Sequence, residues 1–462
     1  MIRFYLGLWA SKILIFVLKI FGQEKDDKPG LLAYRFCDDF LFRLKKPEMV
    51  VAITGTNGKT TVSSLVANMY KNSGKKVCYN DWGANCLAGH ARCLIDAVTI
   101  FNRPKVDVAV LEADELTSSD TFPGFNPNYV IVTHISRDSL RRNGNYFYIF
   151  ERLNEGIKLV PNSKLILNAD CPISSFLGDK HEKIFYGVLG DKVNKANYIS
   201  NDFNFCPRCY GEVKYNYRHY RHIGNFYCPN CGLKSYDADY LVVGHNSKDK
   251  TLAVKHNSNI YNYPLISSSI FNIYNQIAVI TFFKEVGFTD EEIALGFKQL
   301  NIPKSRESSI TVNGIELIAQ MAKGQNVSAC STVFEQIAKD KDDIVLVFLM
   351  NEMYLTAEGG EMETITWFYE TDFEFLNKDN IKQILIGGPR NLDYKLRLKL
   401  GGFPDDKYIC TDDDYELYKY VKIKGIKKIY FLYEVEAVSK AMKIRKQFYD
   451  RIIELGGDNN EN

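Results

Sequence analysis

A chain of 462 residues with 46% apolar and 25% charged residues has the make-up of a folded soluble protein, and its length suits about three domains. A net charge of +2 argues against a broad basic face, so no nucleic-acid partner is expected. Eleven cysteines without a secretory cleavage pattern point to reduced thiols in the cytoplasm.

The chain opens on an apolar, aromatic stretch from Met1 to Gly22 that carries Arg3, Lys12 and Lys19 and no acids. Its longest apolar run, Ile13 to Leu18, is too short to span a bilayer. Lys12 and Lys19 stand one heptad apart, so a helix puts them on one face. A basic, aromatic helix of this kind suits the surface of an anionic membrane, which would place the chain peripherally at the inner face of the plasma membrane. Packing against the protein's own core is the alternative. Lys28-Pro29-Gly30 reads as a break, and Leu31 to Leu44 as a second helix ended by Lys46-Pro47, completing a helical lead over residues 1–47.

Met49 to Ile53 is an apolar run of buried-strand type, and Val62 to Tyr70 has helical apolar spacing. Between them lies Gly55-Thr56-Asn57-Gly58-Lys59-Thr60-Thr61. Strand, glycine-rich turn, Gly-Lys-Thr and helix form the context of a phosphate-binding loop. Backbone N–H groups would face phosphate oxygens, Lys59 would reach the terminal phosphates, and the Thr60 hydroxyl would ligate Mg²⁺. Ile53 stands where the longer form of the pattern has its first glycine. Val106 to Glu115 reads as a strand with acids at its carboxyl end, where ligands of open α/β sheets sit. Glu112, and after it Glu115, is well placed to hold the metal directly or through water. Tyr129–Thr133 and Leu165–Asp170 continue the strand–helix alternation of a parallel sheet.

Cys206-Pro207-Arg208-Cys209 is followed after eighteen residues by Cys228-Pro229-Asn230-Cys231. Two C-x₂-C knuckles at this spacing are the pattern of a structural Zn²⁺ ribbon, with all four positions taken by thiolates. Further on, Ile344–Leu349, Ile381–Gly387 and Lys428–Leu432 are buried-type strands of a second α/β region.

The loop Gly55–Thr61 resembles the ATP loop of the Mur ligase and folylpolyglutamate synthase superfamily. His134-Ile135-Ser136-Arg137-Asp138-Ser139-Leu140 resembles that superfamily's Asn-Ile-x-x-Asp-His-Leu-Asp, with departures at His134, Ser139 and Arg141. Ser139 takes the place of a metal-contacting His. Asn168-Ala169-Asp170 matches the segment that closes on the nucleotide, and Asn272 with Asn275 matches a helix whose second Asn contacts adenine. Arg306 keeps the charge of a Gly-Arg-x-Glu motif near the phosphates, with Ser305 in place of Gly.

The four-cysteine insert narrows the resemblance to the MurT family, the ligase-like subunits of lipid II isoglutaminyl synthases. Trp367-Phe368-Tyr369-Glu370-Thr371-Asp372-Phe373-Glu374 resembles the family's Trp-x-x-Asp-x-Asp-Phe-Glu, and Gly387 to Leu398 resembles its Gly-x-Arg-x-x-Asp-x-x-x-Arg-Leu. The implied fold is α/β: a Mur ligase-like P-loop central domain over 48–302, with the inserted zinc ribbon at about 203–235, and a smaller C-terminal domain over 303–462. The implied activity is ATP-dependent amidation of the D-glutamate α-carboxylate of lipid II through an acyl phosphate. Ammonia would come from a GatD-like glutamine amidotransferase subunit. In the family a MurT carboxylate is thought to complete the partner's Cys–His pair; Glu370 or Asp372 matches it. The C-terminal region has Cys330 and Cys410 but no His, so it cannot make a Cys–His pair alone. The alternatives are an amino-acid-adding Mur or folylpolyglutamate-type ligase, and an ATP-binding scaffold subunit.

Overall fold

The computed structural model describes residues 1–23, 25–137, 145–191, 198–199, 201–300, 307–322, 326–350, 366–434 and 437–457. Ser139, Arg141, Ser305 and Arg306 lie outside the described residues. The chain forms two compact units, one of residues 1–136, 146–196 and 201–301, the other of 137–145, 197–200 and 302–462.

In the first unit, three helices, α1 (Ile2–Ile20), α2 (Lys28–Phe36) and α3 (Phe40–Arg43), precede β1 (Met49–Thr54), α4 (Lys59–Asn72), β2 (Val77–Tyr79), α5 (Leu87–Asp96) and β3 (Val108–Glu112). Then come α6 (Ser118–Phe125), β4 (Tyr129–Val132), α7 (Tyr146–Lys158), β5 (Lys164–Asn168) and β6 (Lys183–Val188). A separate antiparallel hairpin of β7 (Lys214–Tyr220) and β8 (Ile223–Tyr227) is followed by β9 (Tyr240–Asn246), β10 (Thr251–His256), β11 (Asn259–Pro264), α8 (Ile270–Glu285) and α9 (Asp290–Lys298).

Nine strands make one sheet in the order β11-β10-β9-β6-β5-β4-β1-β3-β2. β1 lies between β3 and β4, parallel to both, and Val50 to Ile53 are buried. That burial explains a continuous apolar run in place of an alternating one. The register pairs Ile53 with Glu112 and Thr54 with Val132, so the strand's carboxyl end meets an acid on one side and the β4 exit on the other.

The helical lead differs from the expectation in three ways. Pro29 sits in the first turn of α2, where its missing N–H costs nothing, and so starts the helix instead of breaking it. Cys37 is extended at φ −153°, which splits the expected single helix into α2 and α3. In α1, Phe4, Leu8, Ser11, Ile15 and Leu18 are buried, and Ser11 Oγ donates to Pro29 O at 2.7 Å. Lys12 does not share a solvent face with Lys19. Its ammonium donates to the carbonyls of Ile95 and Val98 at 2.7 and 2.6 Å, capping the carboxyl end of α5. Burial and neighbouring Lys105 push it down to about 8.

The second unit contains β12 (Glu307–Val312), β13 (Ile315–Met321), α10 (Val327–Ile337), β14 (Ile344–Leu349), α11 (Trp367–Glu370), β15 (Ile381–Ile386), α12 (Asn391–Leu400), β16 (Tyr408–Cys410), β17 (Lys428–Tyr433) and α13 (Val438–Gly457). Its sheet runs β12-β13-β17-β14-β15-β16, parallel apart from the β12–β13 hairpin. Apolar clusters cover both faces, one around Phe334, Phe348 and Tyr394, the other around Phe431 and Phe448.

Candidate active site

Two glycines let the loop after β1 turn. Gly55 has φ +119°, and a Cβ there would lie 2.2 Å from Thr133 Oγ1 and 2.9 Å from the His134 carbonyl oxygen. Gly58 has φ +90°, and its Cβ would lie 2.4 Å from Asn275 Oδ1. Both positions therefore demand glycine on conformation and on space. The exit of β4 pins the loop: Thr56 N donates to His134 O at 2.8 Å, Thr56 Oγ1 donates to Ser136 O at 3.0 Å, and Thr133 Oγ1 donates to Asn57 O at 2.7 Å.

α4 starts at Lys59 with Gly58 as its cap, and no side chain caps the helix. The N–H groups at the start of a helix suit an anion, so the residues present fit a phosphate chain. Lys59 Nζ donates to Gly55 O at 2.7 Å and to Glu115 Oε1 at 3.0 Å. Thr60 Oγ1 lies 3.3 Å from Glu112 Oε1. A hydroxyl and a carboxylate converging at a P-loop are hard oxygen donors of the kind that hold Mg²⁺. The two acids divide: Glu112 stands with Thr60, and Glu115 is the ion-pair partner of Lys59. Burial pushes the Glu115 carboxyl up while Lys59 opposes that shift.

Sequence reasoning missed the residues that hold Glu112. Asn80 accepts from Glu112 N at 2.8 Å and donates to Glu112 O at 2.9 Å. His90 Nε2 lies 2.8 Å from the same carbonyl and donates to it, since a carbonyl only accepts.

His134 is buried with its ring edge-on to Tyr220, and its backbone carbonyl does the work at the loop. Burial, with His222 and Lys59 adding, pushes its imidazole down to about 3; burial takes His90 to about 4. Both folded values lie below the unfolded value of about 6.5, so the stability they confer is complete above about pH 6.5 and is lost as pH falls. Each contributes a slope of about 1.4 kcal/mol per pH unit on the acid side of that value. Urea midpoints between pH 7 and 5 should therefore fall less steeply in His134→Asn than in the parent; identical slopes would contradict the buried neutral imidazole.

Asn275 lies against Gly58, and Asn272, one turn earlier on α8, donates to Ser267 Oγ at 3.2 Å. Asp170 is a structural hub. Its carboxylate accepts from Val188 N at 2.8 Å, Tyr274 hydroxyl at 2.8 Å and Tyr217 hydroxyl at 2.9 Å, and its carbonyl accepts from Gly224 N at 2.8 Å.

Those bonds tie the cysteine ribbon to the site. The Sγ atoms of Cys206, Cys209, Cys228 and Cys231 all lie within 4.8 Å of one another. Cys206 to Cys231 is 3.5 Å and Cys209 to Cys228 is 3.4 Å. Tetrahedral Zn²⁺ with bonds of about 2.3 Å places sulfurs about 3.8 Å apart, whereas a disulfide needs about 2.05 Å. The residues present therefore fit zinc and not a disulfide. From the same hairpin, His222 Nε2 donates to Ile135 O at 2.9 Å, within the segment that pins the P-loop. Cys206→Ser should lose zinc by elemental analysis and lower the thermal midpoint by several degrees; a stable, zinc-free and fully active variant would refute the structural role.

In the second unit the two candidate acids differ sharply. Asp372 is buried, its carboxylate accepting from Ile199 N at 2.6 Å and its own N–H donating to Ser331 Oγ at 3.0 Å. Glu370, at the end of α11, is 30% exposed, and both its oxygens lie 3.0 Å from an Arg137 nitrogen.

Residues 53–226 match the Mur ligase middle domain, which takes in the P-loop and the first cysteine pair of the ribbon but stops short of Cys228 and Cys231, and residues 324–437 match the MurT ligase C-terminal domain. The Staphylococcus aureus (strain COL) lipid II isoglutaminyl synthase (glutamine-hydrolyzing) subunit MurT is 30% identical over 382 residues, 82% of this chain and 84% of that one. This chain belongs to the MurT family of Mur ligases. The Streptococcus pneumoniae MurT subunit is 27% identical over 92% of this chain and 93% of its own length. The fold extends beyond MurT: a pseudomurein peptide ligase type C from Methanothermus fervidus superposes with a TM-score of 0.64 at 22% identity, covering 93% of this chain and 84% of that one. Asn272 and Asn275 lie outside both matched regions, whereas Glu370 and Asp372 lie inside the MurT C-terminal one.

Proposed function

We propose that this chain is the ATP-dependent ligase subunit of a lipid II isoglutaminyl synthase, converting the D-glutamate α-carboxylate of lipid II to the carboxamide. One observation carries the reading: a P-loop with Lys59, Thr60 and Glu112 converging on it, in a chain related to MurT subunits along most of its length. A carboxylate cannot expel oxide, so amidation needs activation. The substrate carboxylate attacks the γ-phosphorus of ATP, ADP leaves, and an acyl phosphate forms. Ammonia adds to its carbonyl, phosphate leaves with the C–O bonding pair, and a proton is lost from nitrogen.

Lys59 and the first-turn N–H groups of α4 stabilise the charge on the transferring phosphoryl group, and Gly55 to Thr61 hold the phosphate chain. Arg306, which the family resemblance places near the phosphates, would add to that stabilisation. Mg²⁺ at Thr60 and Glu112 would supply further charge neutralisation. Asn275 is assigned to the adenine, with Asn272 beside it on α8. Zn²⁺ at the four cysteines is structural.

Ammonia comes from a GatD-like glutaminase subunit, with the pair working at the cytoplasmic face of the membrane that carries lipid II. The partial accessibility of Glu370 supports it, over buried Asp372, as the acid offered to the partner's Cys–His pair. The purified pair, given lipid II, ATP, Mg²⁺ and glutamine, should yield the carboxamide by mass spectrometry. No phosphate release from ATP would point to a scaffold, and addition of a whole amino acid to a peptide-adding ligase.

A further inference from the structure

We propose that the outward face of α1 is a docking surface for an anionic lipid bilayer. The helix is apolar on two faces, and the core takes only one. Ile2, Leu6, Trp9, Ile13, Phe16 and Ile20 recur at alternating intervals of four and three residues, so they form one stripe along the helix. All six are exposed, Ile2 at 79%, Ile13 and Phe16 at 65% and Ile20 at 66%. The stripe continues onto the turn after α5. Trp9 Nε1 donates to Ile100 O at 2.9 Å, which sets exposed Ile100 and Phe101 beside it. A continuous apolar surface of this extent on a folded protein marks an interface.

Charge selects the occupant. α1 carries no acid, and Arg3 and Lys19 are exposed on it; Arg103 and Lys105 are exposed beyond Phe101. Asp38 and Asp39 are exposed nearby at the amino end, and Asp39 is ion-paired with Arg43 at 2.6 Å. An apolar stripe with an indole and a mainly cationic border is the make-up of a helix lying in the headgroup layer. Lys12 is withdrawn to the α5 carbonyls, so no charge interrupts the stripe between Arg3 and Lys19. No helix among the described residues is long and apolar enough to cross a membrane, so α1 lies along the surface. The purpose of the contact rests on the proposed function: a lipid-carried substrate is met in two dimensions.

The test is flotation of the full chain, with its glutaminase subunit, on phosphatidylglycerol-containing vesicles and on phosphatidylcholine vesicles, without substrate. Expected results are binding to the anionic vesicles that weakens with salt, and a blue shift of indole fluorescence absent from Trp9→Phe. Ile13→Glu combined with Phe16→Glu should cut the partition coefficient at least tenfold at an unchanged thermal midpoint. Undiminished binding of that variant, or no binding by the parent, overturns the proposal. So does a change in oligomeric state or loss of the glutaminase subunit in the variant, which would name a second copy or the partner as the occupant. Vesicle binding is read without catalysis, so failure to amidate lipid II would count against the proposed function and leave this surface standing.

Discussion

Lys59→Ala should lose amidation of lipid II by at least about a hundredfold, with ammonium chloride as with glutamine. The ammonium sits at the start of α4, held by Gly55 O and Glu115, beside the first-turn N–H groups proposed to hold the phosphate chain. Its proposed action is on phosphoryl transfer, before ammonia is needed, so supplying free ammonia should not rescue it. Glu115 complicates the variant, because it would keep a buried carboxylate without its cation. Burial already favours the neutral acid there, so the carboxyl should protonate and the fold survive. The double variant Lys59→Ala with Glu115→Gln removes the doubt. If it melts like the parent and still fails to amidate, the loss is chemical. Retained ammonia-driven activity in either variant would end the assignment of Lys59 to ATP.

Glu370→Gln should separate the two nitrogen sources. Glutamine-driven amidation should fall by about a thousandfold or more, the scale seen when the carboxylate orienting a catalytic His becomes an amide. Ammonia-driven amidation should stay within about twofold, since no atom of Glu370 is asked to touch the acyl phosphate. Asp372→Asn is the contrasting variant: it disturbs a buried bond to Ile199 N and should lower stability by about 1–3 kcal/mol, with both nitrogen sources affected alike. Equal losses from both sources in Glu370→Gln would remove its proposed role.

What the sequence made legible was contiguous or periodic. The P-loop could be read because its residues are consecutive, and Glu112 because strand ends in α/β sheets face ligands. The cysteine ribbon could be read because zinc knuckles are short. Asn80 and His90 could not, because they hold a backbone amide 32 and 22 residues away and no motif connects them. Lys12 was misplaced for a different reason. A helix apolar on two faces has no single stripe, so spacing alone cannot say which cation turns inward. Neither could sequence spacing separate Glu370 from Asp372, two positions apart, where tertiary packing buries one and leaves the other partly accessible.

The ribbon lies some seventy residues downstream of the segment it steadies, yet His222 bonds to Ile135 between two residues that grip Thr56. Tyr217 and Gly224 fasten the same hairpin to Asp170, which also anchors α8 through Tyr274. If the four thiolates hold zinc, the geometry of the nucleotide loop depends on a metal that takes no part in the chemistry. Wall amidation would then follow the cell's zinc supply. With a chelator in the medium, newly synthesised chains would lack a firm loop, and muropeptides would carry free carboxylates although ATP and glutamine were plentiful.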